Sequence, residues 1–209
     1  MVKFVAAKAG IDGMGPPCGQ RIGLLGGSFN PAHEGHRYIS LIALKRLQLD
    51  AVWWLVSPQN PFKDKGAPYA ERLAGARALA NHPRIRVSDF EKRHNTRYTI
   101  DTIKRLQQTH GQHRFVWLMG ADNLSQFHRW KAADEIASRL PFAVIDRPGN
   151  TTALASRTAH KFARHRLDES DSAILATQTT PHWVFLHTRL HPASSTALRA
   201  EMNTKMSDT

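Results

Sequence analysis

Residues 21–36 read Arg-Ile-Gly-Leu-Leu-Gly-Gly-Ser-Phe-Asn-Pro-Ala-His-Glu-Gly-His, and the fold turns on how that stretch divides. Arg21 to Gly26 is a short apolar run closed by glycine, which reads as a buried strand. From Glu34 to Gln48, Tyr38, Leu41, Ile42, Leu44 and Leu47 recur with helical spacing. Between the two, Gly26 and Gly27 let backbone approach a phosphate closely, and Gly35 leaves room for a ligand against the turn. A helix start offers unpaired N–H groups and the positive end of the helix dipole, both suited to an anion. His33 and His36 are three apart and share a face if both lie at that start. Two imidazole donors there make a site for charge developing on phosphoryl oxygens. The same pair also fits plain helix capping or an HxxH zinc pair. The dinucleotide pattern GxGxxG and the Walker A loop are absent, and His33-Glu34-Gly35-His36 is one residue short of HExxH.

Outward from this stretch the alternation continues. Strand-like runs lie at Ala51 to Val56 (closed by Ser57-Pro58), Ile85 to Val87, Phe115 to Met119, Phe142 to Ile145 and Trp183 to Leu186. Helical patterns lie at Tyr69 to Ala80, from Thr99 onward, from Leu154 to Leu167, and from Ser194 to Met202. At Thr99 the hydroxyl is suited to capping, Asp101 to the first turn, and Ile100, Ile103 and Leu106 to one apolar face. Strands without strict alternation, separated by helices, predict a parallel sheet covered on both faces. The expected fold is α/β, a doubly wound parallel sheet in one Rossmann-like domain over residues 20–203, with a loose extension at 1–19 and a tail at 204–209. Trp53, Trp54, Trp117 and Trp183 fall inside strands and are expected in the core. In such folds ligands bind beyond the carboxyl ends of the strands, where strand order reverses. The unusual residues fall there: Gly26 to His36 after the first strand, Ser57 to Lys65 after the second, Gly120 to Asp122 after the fourth, and Ser194 to Arg199 after the sixth.

The chain has 209 residues, 41% hydrophobic and 22% charged, enough for one well-filled domain that buries roughly 70% of its unfolded surface. Lysine and arginine number 29 against 17 acids, a net charge of +12 that favours anionic partners. The charge is not blocked: the densest region, Arg84 to Arg114, mixes in Asp89, Glu91 and Asp101, so no basic nucleic-acid arm is indicated. A solvated basic surface accounts for the bulk charge equally well. One cysteine, Cys18, precludes an internal disulfide and fits a reducing compartment. The longest apolar runs fall far short of the ~20 residues that cross a bilayer, and the first residues lack a signal-peptide core. A cytoplasmic protein without membrane or nucleic-acid partner is expected, with homo-oligomerisation left open.

The string Gly26-Gly-Ser-Phe-Asn-Pro-Ala-His-Glu-Gly-His36 resembles the HxGH signature of the nucleotidyltransferase superfamily, in the form used by nicotinate-nucleotide adenylyltransferases. Similar segments follow in order over residues 21–200: Ser57-Pro-Gln-Asn-Pro-Phe-Lys63, Arg97-Tyr-Thr-Ile-Asp-Thr102, Phe115-Val-Trp-Leu-Met-Gly-Ala-Asp-Asn-Leu124 with Trp130 downstream, and Ser194-Ser-Thr-Ala-Leu-Arg199. The resemblance implies adenylyl transfer from ATP to nicotinate mononucleotide, with Mg2+ arriving on ATP and no permanent metal site. It implies His33, His36 and Arg199 as the catalytic charge-stabilising groups. Gly27, Ser28, Phe29, Gly120, Asp122, Ser194 and Thr196 would join them around ATP, and Ser28, Lys63, Tyr98, Thr99 and Trp130 would hold the acceptor nucleotide. Read alone, several of these have plainer uses: Arg199 as a surface charge, Ser194, Thr196 and Asp122 as helix caps, Lys63 as a solvated loop residue. Lys131 departs from the family, where an aromatic residue often follows the tryptophan. Nicotinamide mononucleotide and phosphopantetheine are alternative acceptors, the latter disfavoured by Arg97 to Thr102 and Trp130. A nucleic-acid-binding module leaves the two histidines without a purpose.

Overall fold

The computed structural model describes residues 19–58, 67–146 and 152–188. Strands β1 (Arg21–Gly27), β2 (Ala51–Val56), β3 (Ile85–Ser88), β4 (Arg114–Gly120), β5 (Phe142–Ile145) and β6 (Trp183–Leu186) form one sheet in the order β3-β2-β1-β4-β5-β6. Every neighbouring pair is parallel. The register lines Trp53, Leu24, Trp117, Phe142 and Trp183 in one row across one face of the sheet. The next residues along, Trp54, Leu25, Leu118, Ala143 and Val184, form the matching row on the other face. Each large side chain in these rows contributes about 1.5–3 kcal/mol by burial, so strands without polar alternation are what this sheet requires.

Helices α1 (Glu34–Arg46), α2 (Tyr69–Leu79), α3 (Phe90–Arg93), α4 (Thr99–His110), α5 (Ala121–Gln126), α6 (Ala133–Arg139) and α7 (Arg157–Lys161) cover the sheet, with a 3-10 segment at Glu169–Thr177. α4 buries Ile100, Ile103 and Leu106 against the tryptophan-rich face. α1 buries Ile39, Ala43 and Leu44 against the other, where Leu175 and Ala176 of the 3-10 segment also pack.

The six strands and the helices at Glu34, Tyr69 and Thr99 stand where the sequence expects them. Five short elements, α3, α5, α6 and the 3-10 segments at 127–129 and 169–177, were not expected. α1 stops at Arg46 rather than Gln48, because Gln48 adopts φ 51° and turns the chain out of the helix. The helix expected over 154–167 is broken into a 3-10 turn Ala153–Ala155, α7, and a second turn Ala163–His165. Ser156 is extended there and its hydroxyl accepts the N–H of Ala159, restarting the helix instead of continuing it. The helix expected at 194–202, the 204–209 tail and residues 1–18 lie outside the described residues.

The chain steps from β1 through β2 to β3 on one side, and from β4 through β5 to β6 on the other. The order therefore reverses between β1 and β4, and the crevice opens above their carboxyl ends. Among the described residues no helix is long and apolar enough to cross a membrane.

Candidate active site

The loop leaving β1 forms the floor of the crevice. A Cβ at Gly26 would lie 2.7 Å from the indole of Trp117, so this glycine makes room for a core side chain rather than for a phosphate. At Gly27 an added Cβ would meet only the Phe29 ring, at 3.5 Å, so the expected close approach of backbone to phosphate falls to Gly27 alone. Phe29 holds φ 48°, a left-handed conformation costing about 1–3 kcal/mol in a residue of this kind. Burial to 1% exposure and stacking on Trp54 at 5.1 Å hold it there. Its side chain thus belongs to the core against His36, ring centroids 4.7 Å apart.

His33 is the extended residue capping α1, and His36 is the third residue inside the helix. Their rings lie 3.9 Å apart, His33 being 5% exposed. The backbone N–H of His33 donates to Nδ1 of His36 at 3.2 Å, and the N–H of His36 donates to the carbonyl of His33 at 2.9 Å. Capping and phosphate binding are therefore compatible, because they use different nitrogens. With Nδ1 accepting, a neutral His36 ring carries its proton on Nε2. Ser40 fixes the helix start from below: its hydroxyl donates to the carbonyl of His36 at 2.8 Å and accepts the indole N–H of Trp54 at 2.8 Å. Among the described residues no three His, Cys, Asp or Glu side chains are grouped so as to hold a metal ion.

Arg72 of α2, not anticipated from sequence, ties the floor to the neighbouring loop. Its guanidinium donates to the carbonyls of Ser28 (2.5 Å), Ser57 (2.8 Å), Pro58 (3.0 Å) and Ala67 (3.0 Å). Burial lowers its proton affinity without supplying a carboxylate partner. Only a planar fork of five donors reaches four carbonyls at once. Arg72→Lys is expected to lose about 2 kcal/mol of stability, read as a lower urea midpoint, since a single ammonium cannot satisfy both loops. An unchanged midpoint would show that the loops hold without the clamp.

Across the switch point, α5 starts at the end of β4 with Gly120, not Asp122, in the capping position. Asp122 is the second helical residue, half-buried at the positive helix end. α4 is likewise capped by extended Tyr98, which makes no side-chain cap bond, and Thr99 is the first helical residue rather than the cap. Trp130 packs edge-on against Trp117 at 6.2 Å, so one indole links Gly26 to Trp130. Lys131, next to Trp130 in the chain, places its Nζ 4.1 Å from the Tyr98 ring centroid. Gly27, Ser28, His33 and His36 thus sit on the β1–α1 turn, Gly120 and Asp122 on the β4–α5 turn, and Tyr98, Thr99 and Trp130 on the wall beyond. Lys63, Ser194, Thr196 and Arg199 lie outside the described residues. A buried carboxyl, Glu91 of α3, was also missed. It accepts hydrogen bonds from Thr102 (3.1 Å) and Ser57, yet burial pushes it up to about 7.

The cytidylyltransferase-like family model matches residues 24–201. A Methylorubrum extorquens protein named probable nicotinate-nucleotide adenylyltransferase is 57% identical over 182 residues, 86% of this chain and 98% of its own. Relatives of the same name from a Bradyrhizobium species and Brucella abortus are 54% and 48% identical, covering 86% and 85% of this chain and 95% and 93% of their own. The chain belongs to the nicotinate-nucleotide adenylyltransferase family. Two solved structures of Plasmodium falciparum nicotinic acid mononucleotide adenylyltransferase, one complexed with NaAD and one with APC, share the fold of this family member. They align with TM-scores of 0.66 and 0.64 at 16% identity, covering 87% of this chain and 83% of theirs. The crevice described here therefore stands in an adenylyltransferase framework, with the histidine pair at its switch point.

Proposed function

We propose that the enzyme joins the AMP portion of ATP to nicotinate mononucleotide, giving nicotinate adenine dinucleotide and pyrophosphate in NAD biosynthesis. The observation that carries this reading is the interlocked pair His33 and His36 on the first turn of α1, at the point where strand order reverses. Family membership and the names of the relatives support the choice of substrates.

A 5′-phosphate oxygen of the acceptor attacks the α-phosphorus of ATP, the bond from that phosphorus to the bridging oxygen breaks, and pyrophosphate leaves. The attacking phosphate is already an anion, so the protein need only align the reactants and stabilise charge. The α1 N-terminus and the ring N–H of His36 address the triphosphate, with His33 beside it. Arg199 is assigned to the departing pyrophosphate as a two-pronged donor, with Ser194 and Thr196 on the same phosphates. Gly120 and Asp122 are assigned to the adenosine side. Ser28, Lys63, Tyr98, Thr99 and Trp130 are assigned to the acceptor, its ring against the aromatic side chains and its carboxylate at the start of α4. Magnesium would enter as part of the MgATP substrate and would supply charge neutralisation to its phosphates.

Pyrophosphate release measured with MgATP and nicotinate mononucleotide, nicotinamide mononucleotide or phosphopantetheine tests the reading. The acid nucleotide should give the highest kcat/KM; preference for either other acceptor overturns it.

A further inference from the structure

We infer that Lys131 is a specificity-determining residue, its ammonium selecting the acid acceptor over the amide by meeting the pyridine carboxylate at the edge of the Tyr98 ring. It takes this role only with the acceptor assigned above. Lys131 follows Trp130 directly, and its Nζ lies 4.1 Å from the Tyr98 ring centroid, the Arg97 guanidinium approaching the same ring at 5.7 Å. Tyr98 caps α4, so this ammonium lies over the ring of the residue that opens the helix whose first N–H groups would receive the carboxylate.

The acids nearest in sequence are engaged elsewhere. Asp134 pairs with Lys161 at 2.7 Å, and Glu135 pairs with Lys104 at 3.0 Å and Arg139 at 2.9 Å. Among the described residues Lys131 makes no ion pair, and the Tyr98 face orients its charge without neutralising it. A carboxylate arriving there supplies the missing counter-charge. An amide offers only a dipole, and turning its NH2 group toward the ammonium sets donor against donor. Backbone N–H groups at the helix start favour the acid as well, and the ammonium adds a full positive charge to that preference. Because Lys131 is exposed, the expected discrimination is modest and weakens with salt.

The test compares kcat/KM for nicotinate and nicotinamide mononucleotides, at saturating MgATP, in the unaltered enzyme and in Lys131→Ala, Lys131→Glu and Lys131→Arg. The acid-to-amide ratio should fall about tenfold in Lys131→Ala and further in Lys131→Glu. The loss should appear in the KM for the acid and not in that for ATP, and Lys131→Arg should restore most of the ratio. Thermal melting of each variant separates this pattern from loss of fold, and Lys131→Glu, at an exposed position, carries the comparison with Lys131→Arg if alanine melts early. An acid preference that stays within twofold across folded variants overturns the role of Lys131 while leaving the proposed reaction standing. An unaltered enzyme that ignores the acid nucleotide overturns both.

Discussion

His36→Ala is expected to lower kcat about a hundredfold, roughly 2.7 kcal/mol of barrier, with a much smaller change in the KM for ATP. The size follows from how firmly the ring is held before any substrate arrives. Its Nδ1 takes the N–H of His33, its faces meet His33 at 3.9 Å and Phe29 at 4.7 Å, and its carbonyl is fixed by Ser40. A donor oriented in this way reorganises little as charge builds on the phosphoryl oxygens, and this separates transition-state stabilisation from ordinary ground-state binding. Alanine also strips the His33 N–H of its acceptor, so some stability is lost, but the core rows of the sheet are untouched. Steady-state kinetics with both substrates saturating decide the matter. Turnover within threefold of the unaltered enzyme would remove His36 from the chemistry and leave it a capping residue.

The contrast between His36 and Arg72 shows which parts of such a site a sequence discloses. The histidines announce themselves because their partners are local: His33 and His36 are three residues apart, and the strand, turn and helix that position them occupy one continuous stretch. Arg72 reads as an ordinary helix residue, since the carbonyls it serves belong to Ser28, 44 residues back, and to Ser57 and Pro58, 15 and 14 back. Backbone carbonyls carry no side-chain signature at all. Phe29 differs in another way: it sits inside the glycine-rich motif, and the left-handed turn that sends its ring into the core leaves no mark in the sequence. The long elements were legible because burial imposes a period over many residues. Short helices such as α3, α5 and α6 offer only a turn or two of pattern, and α6 is set by Ala132 at φ 55°, which composition does not foretell.

Glu91→Gln is expected to stabilise the protein by about 3 kcal/mol at pH 8, relative to its effect at pH 4. Glu91 is buried against Thr102 and Ser57, with hydroxyls rather than a lysine or arginine as its hydrogen-bond partners. One Thr102 proton is sought by Glu91 at 3.1 Å, by Thr96 Oγ1 at 2.9 Å and by the Tyr98 carbonyl at 3.4 Å. A protonated Glu91 can itself donate and relieve that competition; an ionised one cannot, and desolvation raises its affinity for the proton to about pH 7 from the ordinary 4.5. The sign follows. Below pH 4.5 folded and unfolded chains both hold the proton and the group contributes no pH dependence. Between about 4.5 and 7 the unfolded chain releases it first, so stability falls as pH rises, and above 7 the full penalty stands. Glutamine keeps a donor and an acceptor in the same space without ionising, so the variant should escape this loss. Denaturant unfolding of both proteins at pH 4, 6 and 8 reads it directly: the two stability curves should diverge through the window, and parallel curves would mean that Glu91 ionises as freely in the folded chain as in the unfolded one. Since the carboxyl joins the residue after β2 to the first turn of α4, the same titration should rearrange hydrogen bonds behind Tyr98 and Thr99, the residues proposed to face the acceptor.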